Sequence, residues 1–415
     1  SALQDLKLKF TFGDPQFSSL NDKDYLLSVP ADKAEMENVL GIVLPEIGVD
    51  KASLDLTSIV AKLRTDAGTT VENKIEVDVR ANNRWSSEEI KGQENPSRVY
   101  TLRCNKPEMA VSVQPGNIWT KEFTIDELTV TTGDPEVIKS KLKYQYKEKS
   151  GGDDTWKDIQ DMKVLFNEHP QNRSYQVRAV YRDVVMTDAI DVELENPVQL
   201  PNSGMEEWHE EDQSDHKNLW FPFSQDLSLQ WITNNLETTN YRGESFCSAS
   251  AVKRSENKYN GNYAALIRTI GHGVANTNVG SFLGMNGSIT GTHTIGILSY
   301  SGDFQVRPTK VKFYYRYIPE GDDVGVIELK IENEDQDQDV ILYEATNVVS
   351  KTEYQLYEIP INYMVENVVA TKLTLTLKSG SKHTNVVKAK VRGNGADEHY
   401  GSELYIDDIS LVYDK

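Results

Sequence analysis

Carboxylates, aromatic rings and a few cations are the groups in this sequence that could do chemistry. Hydrolysis of a glycosidic bond needs two carboxyl groups facing one another at roughly 5–10 Å. Glu237, Glu244, Glu328 and the pair Asp322-Asp323 are available for that role. With 64 acidic residues among 415, however, candidates are guaranteed, and no spacing singles out an acid/base pair. Glu328 at least falls within an apolar strand pattern, Val326-Ile-Glu-Leu-Lys-Ile331.

Binding without bond cleavage asks for different groups. A sugar ring is held by an aromatic face, with its hydroxyls met by nearby polar side chains. Trp220, Trp231, Tyr314 and Arg316 are the residues that suit this chemistry. In Phe313-Tyr-Tyr-Arg-Tyr317, strand alternation puts Phe313, Tyr315 and Tyr317 on one face and Tyr314 and Arg316 on the other. Either the second set places a ring beside a guanidinium on an outer face, or all five pack into the core. Trp220-Phe-Pro-Phe223 likewise either caps a core or forms one wall of a groove. His272 and His293 stand beside glycines in loops and read as exposed.

Other chemistries lack their residues. There is no GxSxG elbow, no GxxxxGK[ST] loop and no GxGxxG after a strand. His209-Glu-Glu-Asp-Gln213 lacks the second histidine of a zinc-protease helix, and seven scattered histidines without a CxxC leave zinc few ligands. Asp335, Asp337 and Asp339 alternate as in a calcium loop, but Val340 and Thr346 occupy the positions where an EF-hand needs Gly and Glu. That stretch is a solvated hairpin loop, or alternate carboxylates on it hold a hard cation. The closing run Leu404-Tyr-Ile-Asp-Asp-Ile-Ser-Leu411 puts Tyr405, Asp407, Ile409 and Leu411 on one face. One carboxylate of Asp407-Asp408 then sits among hydrophobes and needs a partner. Calcium would supply one; the alternative is that both aspartates lie near an exposed edge.

The elements that must position these groups are strands. Leu6–Phe12, Lys74–Arg80, Gln176–Tyr181 and Lys372–Lys378 all alternate with period 2, separated by Gly, Pro, Asn and Asp turns. Tyr outnumbers Phe by 20 to 11, which suits sheets with one wet face. Ala31–Leu40, with Pro30 before it, reads as a short helix. The chain is therefore all-β, and its punctuation predicts three β-sandwich domains: residues 1–108, 109–198 and 199–415. Asn105-Lys-Pro-Glu108 and Asn196-Pro-Val-Gln-Leu-Pro201 mark the breaks.

A net charge of −20 (44 Lys+Arg against 64 Asp+Glu) argues against nucleic acid and anionic lipid as partners. No apolar run approaches the ~20 residues of a membrane span. Cys104 and Cys247, one pair far apart, read as two free thiols in separate domains and do not fix the redox compartment. The opening Ser-Ala-Leu-Gln-Asp shows no signal peptide, so the protein is cytoplasmic or a signal precedes the numbering.

Three segments carry a resemblance. Asn202-Ser-Gly-Met-Glu-Glu-Trp208, Tyr259-Asn-Gly-Asn-Tyr-Ala-Ala-Leu266 and Leu404–Leu411 resemble the framework of jelly-roll carbohydrate-binding modules. Trp231-Ile-Thr-Asn-Asn235 and Phe304–Asp323 look like the carbohydrate-metabolism domain family, which stands behind Ig-like modules in surface lipoproteins of gut bacteria. The likeness covers residues 199–415. It departs from the pattern at Met205, where Phe is usual, and at Trp231-Ile-Thr-Asn. Residues 1–108 resemble the Ig-like modules through Val43–Leu54 and Tyr100–Cys104.

What the resemblance implies is concrete. Two Ig-like sandwiches act as spacers for a jelly roll that binds an oligo- or polysaccharide. A structural calcium ion sits between Glu206 and Asp407. The protein is a monomer at the cell surface or outside the cell, with the periplasm as alternative and a lipid anchor upstream of the numbered chain. A glycoside hydrolase of the same fold and a non-catalytic adhesion protein are the rival readings.

Overall fold

The computed structural model describes residues 9–11, 17–20, 24–27, 60–65, 74–81 and 98–105 as strands, and residues 108–415 apart from 133–138, 140–141, 182–184, 214–215, 225–230, 240–245, 248, 275–291, 336–338, 366, 382–387 and 392–396. The expected helix Ala31–Leu40, the segment Val43–Leu54, Glu244 and Asp337 lie outside the described residues, as do the side chains of Cys104, Cys247 and His272.

Strands dominate throughout, as the alternating pattern requires. In the first compact unit (Ser1–Val113, Thr124–Val164 and Ser174–Glu193) six strands pair in the order Lys9–Thr11, Arg98–Asn105, Lys74–Ala81, Val60–Thr65, Asp24–Leu27, Phe17–Leu20. All neighbours are antiparallel except the first pair, where Lys9 stands opposite Arg103 in a parallel register. A second antiparallel sheet centres on Ser174–Tyr181, where Tyr175, Val177 and Ala179 point inward and Gln176 and Arg178 are partly exposed.

The second unit comprises Gln114–Phe123, Leu165–Arg173 and Leu194–Lys415. Its main strands are β1 (Trp231–Thr233), β2 (Val252–Ser255), β3 (Ala264–Val274), β4 (Ile297–Asp303), β5 (Lys310–Ile318), β6 (Gly325–Asn333), β7 (Val340–Val349), β8 (Thr352–Pro360), β9 (Lys372–Lys378) and β10 (Asp397–Val412). One sheet runs β1-β4-β9-β6-β7. The other, of eight strands, is built on the path β3-β10-β5-β8, with β2 added to β3. One continuous core joins them. Leu298, Leu375, Leu377, Ile327 and Leu329 of the first sheet pack with Val311, Phe313, Tyr317, Leu404 and Ile406 of the second. This is a two-layer β-sandwich.

Two details depart from the sequence pattern. On β10, Lys312 pairs with Ser410 but Tyr314 pairs with Asp407, so the closing strand carries one extra residue there. Asp408 takes φ 46°, a left-handed conformation that Asp tolerates better than most residues. This bulge reverses the alternation. Leu404 and Ile406 face the core, and so do Ile409, Leu411 and Tyr413, whereas the buried Asp407 turns its carboxylate to the backbone of Tyr259 and Asn260. The expected single face of Tyr405, Asp407, Ile409 and Leu411 is thus corrected by one inserted position. In addition, Gln114–Phe123, which the sequence places in a middle domain, belongs to the second unit. Its carbonyls at Gly116 and Ile118 accept hydrogen bonds from the buried Arg307. Among the described residues no helix is long and apolar enough to cross a membrane.

Candidate functional site

β5 decides which rings reach the surface. Phe313, Tyr315 and Tyr317 are buried, and Tyr314 and Arg316 face outward on the eight-stranded sheet. Of the two sequence readings, the outer-face placement is the one observed. The Tyr259 ring, 49% exposed, lies parallel to Tyr314 with centroids 3.6 Å apart and planes 9° apart. Leu356, directly across from Tyr314 on β8, is 44% exposed. Tyr354 lies beside Tyr259 at 6.1 Å and donates its hydroxyl to the carbonyl of Asn257. Arg316 pairs with Glu353 at 3.1 Å, and its guanidinium lies 5.7 Å from the Tyr405 ring. The result is a patch of ring faces and one leucine, edged by an ion pair.

Three phenols of the patch, Tyr259, Tyr354 and Tyr405, titrate above the ordinary phenol range. The hydrogen bond to Tyr314 raises the Tyr259 pKa above that of a free phenol. Burial pushes Tyr405 up to about 12 and raises Tyr354 further. A neutral phenol both donates and accepts, the pairing that sugar hydroxyls require.

The loop that carries Tyr259 is held by two carboxylates. Asp407 accepts from the backbone N–H groups of Tyr259 (2.7 Å) and Asn260 (3.0 Å) with one oxygen, and from that of Asp408 (2.8 Å) with the other. Glu206 accepts from the N–H of Asn262 with both oxygens, at 2.8 and 3.0 Å. Asn260 also donates its side-chain amide to Asp408. Burial raises the Asp407 pKa, and the amide donors pull it back. Between the two carboxylates the chain turns at Gly261 (φ +63°), where a Cβ would come within 1.8 Å of the Glu206 Oε1. Gly261→Ala is expected to cost about 1–3 kcal/mol and to lower the melting temperature in a thermal scan.

Those same bonds bear on the calcium expectation. The oxygens of Glu206 and Asp407 are already met by N–H donors, and among the described residues no group of three His, Cys, Asp or Glu side chains could hold a metal. Each carboxylate keeps further lone pairs, so calcium between Glu206 and Asp407 stands as a proposal, which a lower melting temperature in chelator would support. The partner that the buried Asp407 needs is the loop's own amides.

The remaining expected site residues are dispersed. Trp231 is 2% exposed, donates its indole N–H to the Pro201 carbonyl at 2.7 Å and meets Tyr300 edge-on at 5.6 Å. It has no free face, so its expected ligand role is corrected to core packing. Trp220 is the penultimate residue of the strand His216–Phe221, and its ring lies 5.2 Å from the Arg254 guanidinium, which also covers Tyr263 at 4.2 Å. Glu328 pairs with Lys378 at 2.7 Å on the outside of the five-stranded sheet. The buried Asp323 accepts from Ser381 and Ser402. These carboxylates are spent on separate structural bonds. The outer face of β4 and β9 presents hydroxyl rungs, Ser299 with Thr376 and Ser301 with Thr374, in place of rings.

Sequence reasoning missed Tyr259, Tyr354 and Leu356. Tyr259 stands in the Tyr-Asn-Gly-Asn-Tyr segment, whose turn chemistry masks its ring. Leu356 and Tyr354 have no local pattern that marks them, because β8 kinks past β5 between Tyr315 and Tyr317.

No protein-family profile matches the chain, and no curated protein matches it. Among solved structures it is similar to the TmCBM61 module in complex with beta-1,4-galactotriose (13% identity, TM-score 0.23, 44% of this chain and 88% of that one). It is also similar to a carbohydrate-binding module of the beta-sandwich superfamily described for its promiscuous specificity (11%, TM-score 0.24, 74% and 98%). A third is the family 11 module of Clostridium thermocellum in complex with a beta-1,3-1,4-mixed-linked tetrasaccharide (11%, TM-score 0.23, 46% and 92%). TM-scores of this size transfer neither fold nor ligand, and the architecture rests on this chain's own sheets.

Proposed function

We propose that the C-terminal sandwich binds a neutral oligo- or polysaccharide on the outer face of its eight-stranded sheet, without cleaving it. The observation that carries this reading is the half-exposed Tyr259 ring stacked on Tyr314 beside the exposed Leu356. A pyranose has one apolar C–H face, and such a platform gives it area at little entropic cost, since tyrosine has few torsions to fix. Arg316, Glu353 and the phenol hydroxyls supply donors and acceptors at the rim. A secreted or surface-exposed location goes with this reading, and the first unit serves as a spacer; fractionation of the source cells tests the location.

Affinity electrophoresis through gels containing neutral polysaccharides tests the site. Tyr259→Ala and Tyr314→Ala are each expected to weaken retardation about tenfold, equal to about 1.4 kcal/mol, with an unchanged melting curve for Tyr259→Ala. Reducing ends are expected to stay constant during incubation. Retardation equal to wild type in both variants would place the site elsewhere, and release of reducing ends would replace binding by hydrolysis.

A further inference from the structure

A second site lies away from the tyrosine platform, where Gln114–Phe123 meets the end of β8 within the same unit. A cleft of about 610 Å³ opens there, lined among others by Trp119, Tyr363, Asn362, Asn367, Asp414 and Lys415. That volume falls within the roughly 300–1,000 Å³ of small-molecule sites. We infer that this cleft binds a neutral, hydroxyl-rich ring compound, a mono- or disaccharide, independently of the platform.

The charged groups of the cleft are already engaged. Arg307 also lines the cleft and looks like an anchor for an anion. It is only 2% exposed, and each of its nitrogens already has a partner: Nε on Glu195 at 2.7 Å, Nη1 on the Gly116 carbonyl at 2.8 Å and Nη2 on the Ile118 carbonyl. Its charge is cancelled by Glu195. Lys415, whose amine lies 5.1 Å from the Trp119 ring centre, is balanced along the chain by Asp414, which is tied to Thr309. The lining therefore has no net charge to offer a phosphate or a carboxylate. It offers instead the amides of Asn362 and Asn367, each donor and acceptor at once, beside Trp119 and Tyr363, which pack edge to face with centroids 5.5 Å apart while Arg307 lies 3.7 Å over the Trp119 ring. Amides that bond vicinal hydroxyls, next to rings that meet C–H faces, select neutral polyols.

The walls are also preformed. Gly116 approaches the Asn367 backbone so closely that a Cβ would stand 2.0 Å from its carbonyl carbon. The Tyr363 hydroxyl donates to the Pro308 carbonyl at 2.7 Å, which fixes the second wall.

The test uses the full chain, titrated with neutral mono- and disaccharides (glucose, galactose, mannose, xylose and N-acetylglucosamine and their β-linked dimers) and, separately, inorganic phosphate. Calorimetry reads affinity and tryptophan fluorescence reads the environment of Trp119. At least one neutral sugar is expected to saturate and to shift the fluorescence, and phosphate is expected to do neither. Asn362→Ala combined with Asn367→Gly, a glycine because Asn367 stands at φ 64°, should weaken that sugar about tenfold or more, with its melting curve unchanged and polysaccharide retardation retained. Tyr259→Ala should leave the same sugar's affinity intact, which separates this cleft from the platform. Saturation by phosphate alone, no saturation by any sugar, or equal affinity in the double variant would overturn the inference.

Discussion

Replacing Arg307 with alanine is expected to destabilise the C-terminal unit by about 3–5 kcal/mol, read as a lower urea midpoint. The guanidinium is 2% exposed and joins three separate stretches of chain. It bonds Glu195 through side chain and backbone, at 2.7 and 3.0 Å, takes the carbonyls of Gly116 and Ile118, and lies 3.7 Å over the Trp119 ring. Truncation removes the charge partner of Glu195, which is itself mostly buried. It also strips donors from two carbonyls and a cation from an aromatic face. Arg307→Lys keeps the charge without the planar fork, so it should recover only part of the loss.

The pH dependence follows from Glu195. Burial raises its carboxyl pKa despite the pull of Arg307. A folded value above the unfolded one means that the folded chain holds the proton more tightly. The associated stability is full below the unfolded value and is lost as pH rises through the raised one. Wild type should therefore lose stability relative to Glu195→Gln as pH increases across that window. A stability for Arg307→Ala within about 0.5 kcal/mol of wild type, the range of an ordinary surface change, would show that the segment 114–119 is not held this way.

The alternation of β5, β6 and β9 was readable in the sequence because each buries one face, so Leu373, Leu375 and Leu377 recur at period 2 and end in the core. That same logic placed Tyr314 and Arg316 outside. It failed on β10, where one inserted residue reverses every later side chain and leaves no trace in a pattern that still alternates. Trp231 misled because a ring's type says nothing about whether its face is covered, and here the indole N–H finds a carbonyl at 2.7 Å inside the sandwich. The attachment of residues 114–119 was invisible for a different reason. Arg307 reaches carbonyls 189 and 191 positions away, and periodicity carries no information at that range. The cleft beside it was missed with it.

Asp407→Ala tests how the fold positions the platform, and its effect should be large for a residue that touches no ligand. The carboxylate is fully buried, and its oxygens receive the N–H groups of Tyr259, Asn260 and Asp408. Three donors left without an acceptor, at about 1–3 kcal/mol each when buried, predict a loss of about 3 kcal/mol or more. The Tyr259 amide is among them, so the ring above Tyr314 loses its anchor. Polysaccharide affinity should fall about tenfold or more, as in Tyr259→Ala, when measured below the variant's melting temperature. Asp407→Asn keeps one carbonyl oxygen and should retain part of both stability and binding. Because burial raises the Asp407 pKa, its proton favours the folded state, and that contribution is lost as pH rises through the raised value. The stability gap between wild type and Asp407→Asn should shift in that direction between acid and neutral pH. Full polysaccharide affinity in a folded Asp407→Ala would mean that Tyr259 reaches its place without the cap, and that the bulge on β10 serves the core alone.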